Sequence, residues 1–241
     1  MNKLKIKRNK FLKCIIPTAS VIALTSLTFS CSSNSISFIE DANNMLNKYR
    51  EMVAESINSE FYDDKTIEQI LENTERPMEE LEISGISTYY FTNIDYDNLE
   101  IRDDFWPAKD HVVRAREMAV SAYKNDRPDL MELAGKLVSY WVLTDHRCSN
   151  WWWNEIGGNR DMTGAAIFCF DTMPKKAQKA LLGRLERSSF YYRPETKTHT
   201  GANLVDFAEI TLKSSLLRKN RKEFEAAVKR MEEEITDENT E

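Results

Sequence analysis

Cysteine and histidine are scarce here, four and three in 241 residues. Cys14 and Cys31 stand near the start, which leaves Cys148 and Cys169 for the body of the chain. On a single helix, rising about 1.5 Å per residue, those two would lie roughly 30 Å apart, outside disulfide reach. Gly157 and Gly158 could break such a helix, so distance disfavours the pairing without forbidding it. No histidine pair accompanies the cysteines at ligand spacing, so they do not compose a zinc motif, and neither metal nor cofactor is expected. Alternating β-branched runs are missing outside residues 83–94, which argues against a strand-built fold. Heptads and short repeats are missing too. No apolar run of membrane-spanning length follows residue 30. Basic charge is short in the body. The net charge is −6, and residues 1–30 hold six Lys and Arg with no acid, so residues 31–241 carry −6 − 6 = −12. That balance argues against a nucleic-acid binder working by phosphate neutralisation.

What is present begins with a leader. Residues 1–30 join a basic start to the apolar stretch CIIPTASVIALTSLTF and read as a secretory signal. SCSSNS follows and resembles a bacterial lipoprotein signal, in which a cysteine after a small residue is lipidated and becomes the new N-terminus. Ser30 is the small residue and Cys31 the lipidation site. Thr28 stands where that pattern usually has leucine, with Leu27 one place back. An ordinary cleaved signal, with Cys31 incidental, is the alternative. Both imply export, either to the cell envelope through a lipid anchor on Cys31 or by secretion. Residues 31–37 read as a tether, 38–235 as one α-helical domain and 236–241 as a polar tail.

Phe38, Ala42, Met45, Tyr49, Met52 and Val53 recur at helical spacing. A short helix over residues 63–73 follows, then an aperiodic connecting segment over 74–104. Val112, Ala115, Ala119 and Ala122 line one face of the next helix. Asp126 and Pro128 open another, with Leu130, Leu133, Leu137 and Trp141 as its stripe. The four-residue junction NDRP predicts an antiparallel hairpin. Further helices are expected through Phe170, after a Thr172 cap with Leu181 and Leu185 inward, from GANLVDF, and from RKEFEAAV. Seven or eight paired helices define an all-α fold, as a solenoid, a bundle or an α/α toroid.

Two segments exceed ordinary stripes: NWWWNEIGG, residues 150–158, and HTGANLVDFAEITLKSSLLRKN, residues 199–220. Asn203 falls at or near a helix N-terminus, where an asparagine caps and where anions are favoured. Together these segments resemble the N-terminal catalytic domain of polysaccharide lyase family 8, the hyaluronate, chondroitin and xanthan lyases. The matching positions are Asn150, Trp151, Trp152, Glu155, Ile156 and Gly157, then Gly201, Ala202, Asn203 and Asp206. Asn159 stands where the family has proline, and Trp153 has no counterpart and is expected to face the core. The resemblance is specific over 148–220, weaker over 105–147, and is not claimed before that.

The resemblance implies a fold and a chemistry. The fold is an α/α toroid, here incomplete. The substrate is an acidic, uronate-containing polysaccharide of the hyaluronan or chondroitin kind, cleaved by β-elimination. Asn203 would neutralise the uronate carboxylate, and Asn150, Trp151 and Trp152 would bind the sugar chain by stacking and hydrogen bonding. The family's catalytic His and Tyr lie further along than this sequence reaches, since neither residue occurs after Asn203. A downstream polypeptide would complete the toroid and supply them; alone, the chain is expected to bind rather than cut. The competing expectation is a surface lipoprotein of helical-repeat type that binds a neutral glycan or a protein. Among remaining residues, His199 is expected as a polar loop residue, His146 as an exposed turn, His111 as a surface or helix-face residue, and Glu155 as a capping or orienting group. Tyr140 and Trp141 are expected in the core, and Arg218, Lys219, Arg221 and Lys222 at a solvated helix junction.

Overall fold

The structure, a computed structural model, describes residues 35–56, 78–98 and 106–237. The leader, Cys31 and the helix expected over 63–73 lie outside the described residues. Seven α-helices are described: α1 Ser35–Ser56, α2 Asp110–Lys124, α3 Pro128–Thr144, α4 Gly158–Cys169, α5 Lys175–Leu185, α6 Gly201–Arg218 and α7 Arg221–Asp237. The fold is all-α apart from one antiparallel hairpin, β1 Met78–Ile83 and β2 Ile86–Phe91.

The predicted stripes are the buried faces. Val112, Ala115, Ala119 and Ala122 of α2 are all buried, and so are Leu130, Leu137 and Trp141 of α3, with Leu133 half-buried against the core. Three alanines on α2 let α3 and α4 approach it closely, and α2 packs mainly against those two helices. α4 is the central helix. It contacts α2, α3 and α6, and nearly all its residues are buried, as a helix enclosed by neighbours must be. α6 and α7 form a second antiparallel hairpin, closed through Lys219 at φ 58°.

Two caps differ from expectation. Asp126 does not cap α3; it takes φ 51° in the turn, and Arg127 precedes Pro128 at the first helical position. Thr172 does not cap α5. Its hydroxyl donates to Cys169 O at 2.8 Å, closing the preceding turn, while Pro174 holds the cap position.

The larger difference lies in 74–104, expected as irregular connection. Residues 78–91 pair in register from Met78↔Phe91 to Ile83↔Ile86. Ser84 and Gly85 both take positive φ, 54° and 78°, the geometry that turns a tight hairpin with the twist of its strands. β1 reads MEELEI, whose acids hide any alternation, yet Tyr90 and Ser87 on β2 donate to Glu79 and Glu80 across the pair. The hairpin lies on α3, where Tyr90 stacks on Tyr140 at 5.4 Å and Phe91 is buried.

His111, expected as a surface or helix-face residue, is on the inner face of α2 and fully buried. Its Nε2 lies 2.8 Å from Leu137 O, an oxygen that can only accept, so Nε2 carries the hydrogen. Nδ1 then accepts from the Tyr96 hydroxyl at 2.8 Å, and Tyr96 O accepts from Phe91 N–H at 3.1 Å. This relay pins the hairpin to the α2–α3 pair and fits only a neutral imidazole. Burial first, and the nearby His146 and Arg114, drive the His111 pKa down to about 3. The folded state therefore resists a proton that the unfolded chain accepts below about 6.5. Stability from this site is complete above about 6.5 and falls as pH drops toward 3, by a few kcal/mol. Urea unfolding between pH 7.5 and 4 should record that slope, and His111→Phe should flatten it.

Candidate functional site

The three tryptophans open the helix that becomes α4, and they diverge because its first turn is wide. Residues 151–152 are α-helical, Trp153–Gly157 form a π-helical turn, and α4 continues from Gly158. A π turn inserted in an α-helix re-aims the side chains around it. The Asn150 Oδ1 accepts the Trp152 N–H at 2.8 Å, so Asn150 anchors the helix start. Asn154 steadies the loop before it through Cys148 N and O, at 2.9 and 2.8 Å.

Trp151 is 47% exposed. Trp152 and Trp153 are half-buried, meet edge to face at 4.7 Å and pack on the core. Trp153 thus faces inward as expected, but Trp152 does so equally; Lys109 Nζ also lies 4.8 Å from the Trp153 ring centroid. Gly157 lies under both rings. A Cβ there would fall 2.6 Å from Trp152 Cζ3 and closer still to the Trp153 ring. Gly157 is therefore the floor on which the inner tryptophans rest, while Gly158 faces the buried Trp106 and Trp141 rings.

The second segment meets the first. Thr200 occupies the N-cap position of α6 without a side-chain capping bond, and Asn203 sits in the first turn, near the helix start as expected. The Trp152 indole N–H donates to Asn203 Oδ1 at 3.1 Å. An indole nitrogen is donor only, which fixes the carboxamide with its oxygen toward Trp152. The Asn203 amide hydrogens are thereby turned away from Trp152, as donors for another acceptor. Glu234 of α7 already accepts from Gly201 N–H at 3.2 Å at this helix start.

His199 is in the expected loop, with ring contacts that the sequence did not foretell. Its ring stacks on Trp151 at 5.5 Å and 15°, and on buried Phe207 at 4.9 Å and 23°. Arg230 of α7 holds this loop through Lys197 O at 3.0 Å and His199 O at 3.3 Å. Trp151 is thus the outer layer of a three-ring stack rooted in the core. Tyr191 and Tyr192, adjacent in sequence, pair edge to face with each other at 5.1 Å.

Charges around the site are mutually compensated. Glu155 pairs with Arg193 at 3.1 Å, which also holds Glu195, so Glu155 ties the tryptophan turn to the loop before α6. Arg160 pairs with Asp206 at 2.8 Å; burial still raises the Asp206 carboxyl above its ordinary range. Asn159, where the related pattern has proline, is fully buried. It donates to Ser188 Oγ at 2.8 Å and accepts from Arg184 Nε at 3.2 Å. Arg184 also reaches Asp145 and His146 O. Burial would raise the Asp145 carboxyl, but hydrogen bonds from Arg187 and Arg147, with Arg184 nearby, hold it down at about 2.

Two further expectations are corrected. His146 is half-buried against Tyr96 at 4.9 Å, Tyr140 and Trp141, which lowers its pKa through burial. Arg218 is no solvated junction residue: its guanidinium lies between Glu186 and Glu223, 3.4 Å from each, and over Tyr192. Cys148 and Cys169 are both free, as distance suggested. Among the described residues no cluster of His, Cys, Asp or Glu could hold a metal ion, and no helix is long and apolar enough to cross a membrane.

These elements define an all-α protein built of helical hairpins, with an exposed ring stack and an oriented carboxamide joined across two segments. The chain belongs to polysaccharide lyase family 8: the family's N-terminal α-helical domain matches residues 113–238, just over half of the chain. No curated protein and no solved structure matches it.

Proposed function

We propose that the Trp151, Trp152 and Asn203 face binds an acidic, uronate-containing polysaccharide, of the hyaluronan or chondroitin kind. The observation that carries this reading is the Trp152–Asn203 hydrogen bond. It joins the two family segments and orients the Asn203 amide as a donor, which is what a uronate carboxylate needs. Trp151, exposed and backed by His199 and Phe207, offers an apolar ring face for a sugar's C–H face at little entropic cost. Asn150 contributes by fixing the helix start that sets the Trp152 backbone.

In the family reaction a base removes the proton beside the uronate carboxylate, and the glycosidic C–O bond at the β position breaks to leave a double bond. Negative charge builds on the carboxylate as the proton leaves, and the Asn203 amide would stabilise it there. His199, with rings stacked on it, serves the platform in this reading rather than acting as the base. This reading assigns the base and acid to no residue of the tryptophan face, and an exported setting with Cys31 as anchor suits a polysaccharide ligand.

Affinity electrophoresis of the chain in hyaluronan- and chondroitin-containing gels, with far-ultraviolet absorbance to follow unsaturated product, tests this. Trp151→Ala is expected to weaken binding by about tenfold, the worth of one aromatic contact. Asn203→Ala is expected to weaken acidic chains only. If Trp151→Ala removes binding while Asn203→Ala changes nothing, the ligand is a neutral glycan or a protein, and the acidic reading fails.

A further inference from the structure

A cavity of about 380 Å³ lies between α1, the 3-10 turn Phe170–Thr172 and the C-terminal end of α6. It is separate from the tryptophan face. Asn203 and Leu217 are at opposite ends of α6, about 21 Å apart by helix rise. Leu46 and Leu217 form its buried floor. Asn43, Asn47 and Asp171 are exposed at its rim, and half-buried Phe170 provides an apolar wall. Its volume is at the low end for small-molecule sites.

The lining is rich in donors. Arg50 donates Nε to Ile167 O at 2.7 Å and Nη1 to Asn47 Oδ1 at 3.0 Å, which uses two of its five N–H groups. Lys219 Nζ donates to Asn43 Oδ1. Both asparagine oxygens therefore face cations, and both carboxamides keep their amide hydrogens for another acceptor. Arg50 and Lys219 against Asp171 leave a net charge of +1. Burial first, with Arg50 nearby, lowers the Lys219 pKa, and Asp171 opposes this: the cations share one hollow without full compensation. Lys219 also takes the left-handed conformation at the end of α6, at φ 58°, where glycine is the easier residue. A lysine there puts a cation at the cavity at some conformational cost.

We propose that this cavity is a second ligand site, for a single-ring sugar acid. Its carboxylate lies between Arg50 and Lys219, its hydroxyls meet Asp171 and the two carboxamides, and its apolar face lies on Phe170. The ligand class comes from this lining alone and does not depend on the tryptophan face binding a polysaccharide.

The test is amide-resolved NMR titration of the full chain with glucuronate, glucose and inorganic sulfate. Glucuronate should give saturable shifts at Asn43, Asn47, Asp171 and Lys219, with glucose at least tenfold weaker. Asn47→Asp keeps the acceptor for Arg50 but cancels the net charge, and should weaken glucuronate at least tenfold with an unchanged melting temperature. Lys219→Asn, which tolerates the left-handed backbone, should do the same. Trp151→Ala should leave this binding intact. Equal affinity for glucose, sulfate binding as tightly as glucuronate, no saturable shift, or loss in Trp151→Ala without loss in Asn47→Asp would each overturn the proposal.

Discussion

Gly157→Ala is expected to lower stability by about 1–3 kcal/mol, the range for forcing a methyl group into a packed site, and to weaken polysaccharide binding with it. The added methyl meets the Trp152 and Trp153 rings, and neither is a flexible chain end that can yield. Both rings must lift. Trp152 then takes its indole N–H off Asn203 Oδ1, and the carboxamide loses the partner that fixes its orientation. Gly183→Ala is the control: nothing lies within 4 Å of its Cβ position, on helix α5. There the better helix former should be neutral or stabilising, by up to about 1 kcal/mol. Chemical unfolding of both variants, with binding measured alongside, checks the pair. Equal effects at the two glycines would mean that the tryptophans do not rest on Gly157.

Arg184→Met is expected to cost about 3 kcal/mol or more, because it strips partners from groups already out of water. The Arg184 side chain is only 2% exposed, and burial lowers its pKa to about 10 against the pull of Asp145. It binds Asn159 Oδ1, Asp145 and His146 O, so it holds α4, α5 and the loop before the tryptophans together. Asp145 keeps Arg187 and Arg147. The larger loss falls on buried Asn159 and the His146 carbonyl. The depressed Asp145 carboxyl contributes stability that is complete above its unfolded pKa, near 3.9, and is lost as pH falls toward about 2. Arg184→Met should shrink that acid limb. Thermal and urea unfolding of the variant at pH 7 and pH 3 measures both effects. A cost below about 1 kcal/mol would show that the cluster does not hold these elements together.

Helices were the legible part of this fold, because their apolar residues repeat every three or four positions and burial follows that repeat. Val112, Ala115, Ala119 and Ala122 needed nothing else. The hairpin was opaque because β1 is held by cross-strand pairs to Glu79 and Glu80, and neither looks like a strand former. Ser84-Gly85 was the one local signal, and a turn without visible strands reads as loop. His111 and His146 are more buried than expected, and His199, in the loop where it was expected, meets rings that its sequence did not announce. His111 stands four before Ala115 and seven before Met118, on the same buried face, so periodicity could have placed it inside. His146 and His199 are in loops, where nothing local foretells the rings they meet. The site shows the same division. Trp152 and Asn203 are 51 positions apart, and only the paired family segments suggested that they act together. Gly157 was legible in principle, as a glycine at a spacing that brings it under two large rings.

The central claim is that an aromatic stack and an oriented amide read a charged sugar chain. Its most direct test compares hyaluronan with its carboxyl-reduced, neutral form on the unaltered protein and on Asn203→Ala. The unaltered chain should bind native hyaluronan at least tenfold more tightly than the reduced polymer, and Asn203→Ala should bind the two alike. Equal affinity of the unaltered chain for both polymers, or a preference that survives Asn203→Ala, would contradict the assignment of the carboxylate to Asn203.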